Sequence, residues 1–116
     1  MPRMTGYERG DLVLVGFLFA DESGVKRRPA VVVSSGEYNR ARGEIIIAAV
    51  TSNMERVLFG DHVIRDWRKA GLLFPSVATG ILRTVKRGMV SRKLGSMSRR
   101  DVTAIDRSLK LVLGLE

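Results

Sequence analysis

The stretch "KRRPAVVVSS", Lys26 to Ser35, decides how the chain must be read. Pro29 has no amide proton and keeps Arg28 out of helical backbone angles. The β-branched run behind it predicts a strand over Ala30–Ser35. Three adjacent cations repel one another, and a strand alone gives no reason to place them there. Lys26, Arg27 and Arg28 therefore point to a polyanionic partner held in front of a sheet.

Working outward, "LVLVGFLF" after the Gly10-Asp11 turn signal predicts a buried strand, with Gly16 as a bulge or kink. "ADESGVKRRP" reads as a polar loop that ends at Pro29. "GEYNRARGE", with a glycine near each end, reads as a loop or turn before a central strand, "EIIIAAV". "HVI" is a short strand, and Asp66 is placed to cap a short helix, "WRKAG", closed by Gly71. "SVATGILRTV" predicts one or two strands interrupted at Gly80. Ser98 and Asp101 have capping-box spacing, and Val102, Ile105, Leu109 and Val112 recur on one face of a final helix. The fold class is mainly β, a small, mostly antiparallel barrel or sandwich of five to seven strands with a C-terminal α-helix.

The chain has 116 residues, a size for one domain with one core, expected to span 1–116. It contains no cysteine, which excludes a disulfide framework and thiolate metal sites. No apolar run approaches the length of a membrane helix and no leader pattern opens the chain, so a soluble cytoplasmic protein is expected. The net charge of +8 asks for a polyanion. Arg83, Lys86, Arg87, Arg92, Lys93, Arg99 and Arg100 follow one another with no acid among them and with apolar residues between, as on a folded basic surface.

Most catalytic constellations are missing. His62, the single histidine, reads as an exposed strand-end residue with no ligand pair, so neither a metal nor another cofactor is expected. The acids, Asp11, Asp61, Asp66 and Asp101 among them, fall in turns and caps, where structural roles are the default. What remains is a cation cluster before a strand, a hydroxyl pair (Thr51-Ser52) after one, and a basic face. Those parts suffice for phosphodiester chemistry. An arginine can set two donors on the non-bridging oxygens of a phosphate, and RNA carries its own nucleophile in the 2′-hydroxyl.

With "RGDLVLVGFLFADESGVKRRPAVVVSSGEYN", "IIIAAVTS", "DWRKAGLLFPSV" and "RKLGSMSRRDV" in this order, the chain resembles the MazF/PemK (Kid) toxins of type II toxin–antitoxin systems over about residues 9 to 115. The resemblance implies a CcdB/MazF-like, SH3-related barrel and a homodimer. It also implies a metal-independent endoribonuclease, an mRNA interferase acting on single-stranded RNA and restrained by an antitoxin with a flexible acidic tail. On the matching motifs, Arg28 takes the place of the catalytic arginine and Thr51 that of the catalytic threonine. Lys26, Arg27, Ser23 and Ser52 would then hold RNA beside them, with Arg83 and Lys86 extending the groove. The PemK branch carries an arginine and an acid where this chain has Ala78 and Gly80, which predicts fewer acid–base groups. Tyr38, Phe59, Trp67 and Phe74 are expected in the core or an interface. The competing reading is a toxin-fold protein that binds RNA, gyrase or antitoxin without cutting; "LVLGLE" lacks the terminal tryptophan associated with gyrase contact.

Overall fold

The computed structural model describes residues 6–18 and 25–116. Six strands form one antiparallel sheet: β1 (Asp11–Leu18), β2 (Val25–Val32), β3 (Glu44–Thr51), β4 (His62–Val63), β5 (Val77–Lys86) and β6 (Val90–Ser96). Their order is β4-β5-β3-β2-β1-β6. Among the described residues there are two α-helices, α1 (Gly36–Arg42) and α2 (Arg99–Leu113), and a single 3-10 turn at Arg87–Met89. Among the described residues no helix is long and apolar enough to cross a membrane.

The apolar strands read as continuous because both faces of the inner sheet are covered. Leu12, Val31, Ala48 and Val50 point to one side, where they meet Ile64, Ala78, Met97 and Ile105. Val13, Val15, Ala30, Val32, Ile45 and Ile47 point to the other, with Val85. Each fully buried aliphatic side chain contributes about 1.5–3 kcal/mol, so these two layers dominate the driving force. The expected face of α2 closes the first layer: Ile105 is buried, and Val102 and Leu109 pack beside it.

Several local expectations are corrected. β2 begins at Val25, so the three cations lie in the strand rather than in a loop, each paired with β1. That outer half of β2 has no β3 partner, which is where proline and solvated cations are tolerated. "GEYNRARGE" contains a helix: Ser35 caps α1 by accepting from the Tyr38 amide, and Gly43 stops it with φ 67°. Its buried residue, Asn39, is polar and donates to the Tyr7 carbonyl at 2.8 Å, so no apolar stripe announced it. Residues 66–71 form hydrogen-bonded turns rather than a helix. Gly16 stays in register with Arg27, and the irregularities of β1 fall earlier, against β6. β6 has no counterpart in the sequence reading; it is a mostly exposed edge strand rich in cations, without alternation. At Gly80 β5 is kinked rather than cut, since Thr79, Gly80 and Ile81 stand opposite Ala49 alone.

Two contacts curl the sheet. Gly95 of β6 and Gly71 lie against each other's strand of backbone: a Cβ on Gly95 would sit 2.2 Å from the Ala70 carbonyl oxygen. The segment after β4 thus meets β6, and the two sheet edges approach. Asp101 makes the second contact. Fully buried at the start of α2, its carboxylate accepts from the Arg65 and Asp66 amides (2.9 and 2.8 Å), from His62 Nε2 (2.8 Å) and from the Ser98 hydroxyl (3.2 Å). Burial pushes this carboxyl up, but those donors together hold it below the usual carboxylate range. His62 is therefore a largely buried anchor, not an exposed strand end. Asp66 does not cap a helix with its side chain; it accepts two bonds from Arg100, which hold its carboxyl well below the ordinary range.

Candidate functional site

β2 and β3 pair only from Ala30↔Ala49 to Val32↔Ile47. Two residues beyond the last couple stand Arg28 on one strand and Thr51 on the other. Directly opposed residues of an antiparallel pair share a face, so the interrupted register turns Arg28 and Thr51 toward the same gap. The gap opens into a groove of about 760 Å³ lined by both residues. Leu14, Pro29, Ser52, Leu72, Phe74, Ser76, Arg92 and Leu94 form much of the rest, and among the described residues no carboxylate lines it.

Thr51 is half-buried at the end of β3. Its Oγ1 accepts from the Asn53 amide at 3.1 Å, which fixes the side chain and leaves its own proton to donate. Arg28 is exposed one residue before Pro29, whose ring sets the backbone that presents it. Arg92 reaches the same groove from β6, where its partner on β1 is Leu14. Two guanidiniums on one groove make a site that favours a phosphodiester over a neutral ligand.

The other cations divide. Arg27, opposite Gly16 in the register, reaches across β1 to donate to Ser91 Oγ at 2.9 Å. Neither Arg27 nor Lys26 lines the groove. Ser52 does, and Ser23 lies outside the described residues. Arg83 is paired with Ile47 and Lys86 with Glu44, which places them about 13 and 23 Å along β3 from Thr51. Neither Arg83 nor Lys86 lines the groove. Arg92 was hidden in the sequence because β6 itself was; only its place in a cation-rich run marked it.

Ala78 and Gly80 are not groove positions. Ala78 is buried against Val50 and His62, and Gly80 donates to Asp61 Oδ1 at 2.9 Å while facing Val112. Phe59 and Phe74 are exposed rather than core, whereas Trp67 packs on the core beneath Arg68.

A curled antiparallel sheet with a C-terminal helix, and a cationic groove where two inner strands part, define a small basic β-protein. The family model described as PemK-like, MazF-like toxin of type II toxin–antitoxin system matches residues 8–113. The chain belongs to this toxin family. Among solved structures it is similar to the MazE–MazF complex of Deinococcus radiodurans, with a TM-score of 0.79, 22% identity, and 97% and 100% of the two chains covered. An endoribonuclease from a mycobacterial species aligns with a TM-score of 0.75 at 19% identity over 97% and 95%. The same holds at 18% identity, over 95% and 97%, for a mycobacterial endoribonuclease in complex with its cognate antitoxin, with a TM-score of 0.75. A comparison with curated protein sequences returns no match.

Proposed function

We propose that this toxin is a metal-independent endoribonuclease that cuts single-stranded RNA, with Arg28 and Thr51 at the scissile phosphate. The observation that carries the reading is the interrupted β2–β3 register, which aims an arginine and a hydroxyl at one gap in a groove that also carries Arg92. In the reaction the 2′-oxygen forms a bond to phosphorus and the bond to the 5′-oxygen breaks. A proton leaves the 2′-hydroxyl for water and one returns from water to the 5′-oxygen, leaving a 2′,3′-cyclic phosphate and a 5′-hydroxyl. A guanidinium stays charged in water at neutral pH, so Arg28 acts through charge and hydrogen bonds on the pentacoordinate oxygens rather than as an acid. Thr51 donates to a phosphate oxygen or orients the 2′-hydroxyl. Arg92 supplies a second guanidinium along the groove, and Ser52 a further hydroxyl.

The same groove suits an antitoxin whose acidic flexible tail replaces RNA, since apolar Leu72, Leu73 and Phe74 stand beside its cations. A homodimer is supported by an apolar patch around the end of α2. Phe59 is 77% exposed, and Leu58, Ile81, Leu111 and Leu113 are exposed near it, where Val112 approaches Gly60 and Gly80. In cells, cutting mRNA in the cytoplasm would arrest growth. The test is purified protein with a long single-stranded RNA in excess EDTA, followed by mapping of product ends. Cyclic-phosphate ends that vanish with Arg28→Ala or Thr51→Ala are expected. No cutting of any RNA at low salt by the free protein sinks the reading.

A further inference from the structure

A second concavity, of about 680 Å³, lies between β4 and α2 and shares no lining residue with the groove. Arg65, Arg99, Arg100 and Arg107 line it with Thr103 and His62. Its acids are already engaged: Asp66 holds Arg100, and Asp101 is buried beneath His62 and the Arg65 and Asp66 amides. Among the described residues no acid pairs with Arg65, Arg99 or Arg107. Arg99, Thr103 and Arg107 recur every four residues, so they stand on one face of α2 over about 12 Å, the axial length of three to four stacked nucleotides.

We propose that this concavity is a second phosphodiester-binding surface, which holds the backbone of the RNA outside the segment being cut. Every cation here is an arginine, whose planar fork matches phosphate oxygens in pairs. Among the described residues that line it, the apolar ones are Val63 and Ala104, too small to anchor a peptide in the way that aromatic and long aliphatic residues do. Such a surface reads no bases. It adds affinity for long RNA, makes that affinity fall with salt, and leaves the chemistry at Arg28 untouched.

This inference rests on RNA as the ligand of the groove, and the test separates the two. Binding is measured by fluorescence anisotropy on 2′-O-methyl RNA, which has no free nucleophile, using strands of about 40 and about 8 nucleotides over 50–200 mM salt. For the long strand, R99A/R107A is expected to lower the slope of log affinity against log salt by about 1.4, from about 0.7 for each of two phosphates. Wild type then loses about 7-fold more affinity than the variant across that range. Binding of the short strand, and cutting of its unmodified form, stay unchanged. A long-strand slope that does not move overturns the proposal, as does an equal drop in R40A/R42A on α1, which would mean diffuse charge. A polyglutamate peptide that needs Arg99 and Arg107 while long RNA does not would overturn it in favour of a protein partner. If no RNA is cut, the cleavage reading fails, yet the slopes still decide this one.

Discussion

Asp101→Ala should show how much of the fold hangs on one buried carboxylate. The substitution leaves the Arg65 and Asp66 amides, the His62 ring and the Ser98 hydroxyl without their common acceptor. A stranded buried donor costs about 1–3 kcal/mol, and the two amides are the donors least able to turn elsewhere. With partial relief by water, the expected loss is about 3–5 kcal/mol. For a chain of 116 residues the unfolding entropy is roughly 0.24 kcal/mol per degree, so Tm should fall by about 12–20 °C. His62→Ala removes a single bond and should cost far less. The carboxyl titrates below its ordinary value in the fold, so its contribution is complete above the unfolded value near pH ~4 and fades as pH falls through the lower folded value. The gap between wild type and Asp101→Ala should therefore be constant from pH 7 to 5 and shrink in stronger acid. Urea unfolding followed by far-ultraviolet circular dichroism measures both. A loss under about 1 kcal/mol at pH 7, or a gap that widens in acid, would refute the reasoning.

Three further outcomes are expected. Arg28→Ala should lower cleavage by about 10²- to 10³-fold, as loss of a transition-state donor does, with Tm unchanged because the residue is exposed; Thr51→Val, which keeps the shape and removes the hydroxyl, should also lose rate without losing fold. Gly95→Ala should destabilise by about 1–3 kcal/mol in thermal melts, since its Cβ would meet the Ala70 carbonyl oxygen, and should lower kcat/KM by displacing the groove wall at residues 71–74. Arg92→Ala should weaken RNA binding in the groove and reduce its salt slope by about 0.7, a change read by titrating a short uncleavable strand.

The motifs around the β2 and β3 ends were legible because local chemistry sets them. A proline holds the backbone ahead of Ala30, and a β-branched run can hardly be anything but a strand. α2 was equally plain, since its apolar repeat and Ser98 cap are local signals. α1 and β6 were not. α1 is stabilised through a buried asparagine that bonds to Tyr7, a residue far away in the chain. β6 is held by backbone bonds to β1 and has no apolar alternation to betray it.

The same division runs through the site. The chain itself supplied the candidates for chemistry: Arg28, Thr51 and a large excess of cations, with no cysteine and one histidine. Which cations share a cleft was decided only by tertiary pairing. Register brings Arg28 opposite Thr51, the β1–β6 ladder adds Arg92, and a tie to Ser91 holds Arg27 apart. Sequence spacing cannot express that choice. It depends on where two strands stop pairing, and that is a property of the whole sheet.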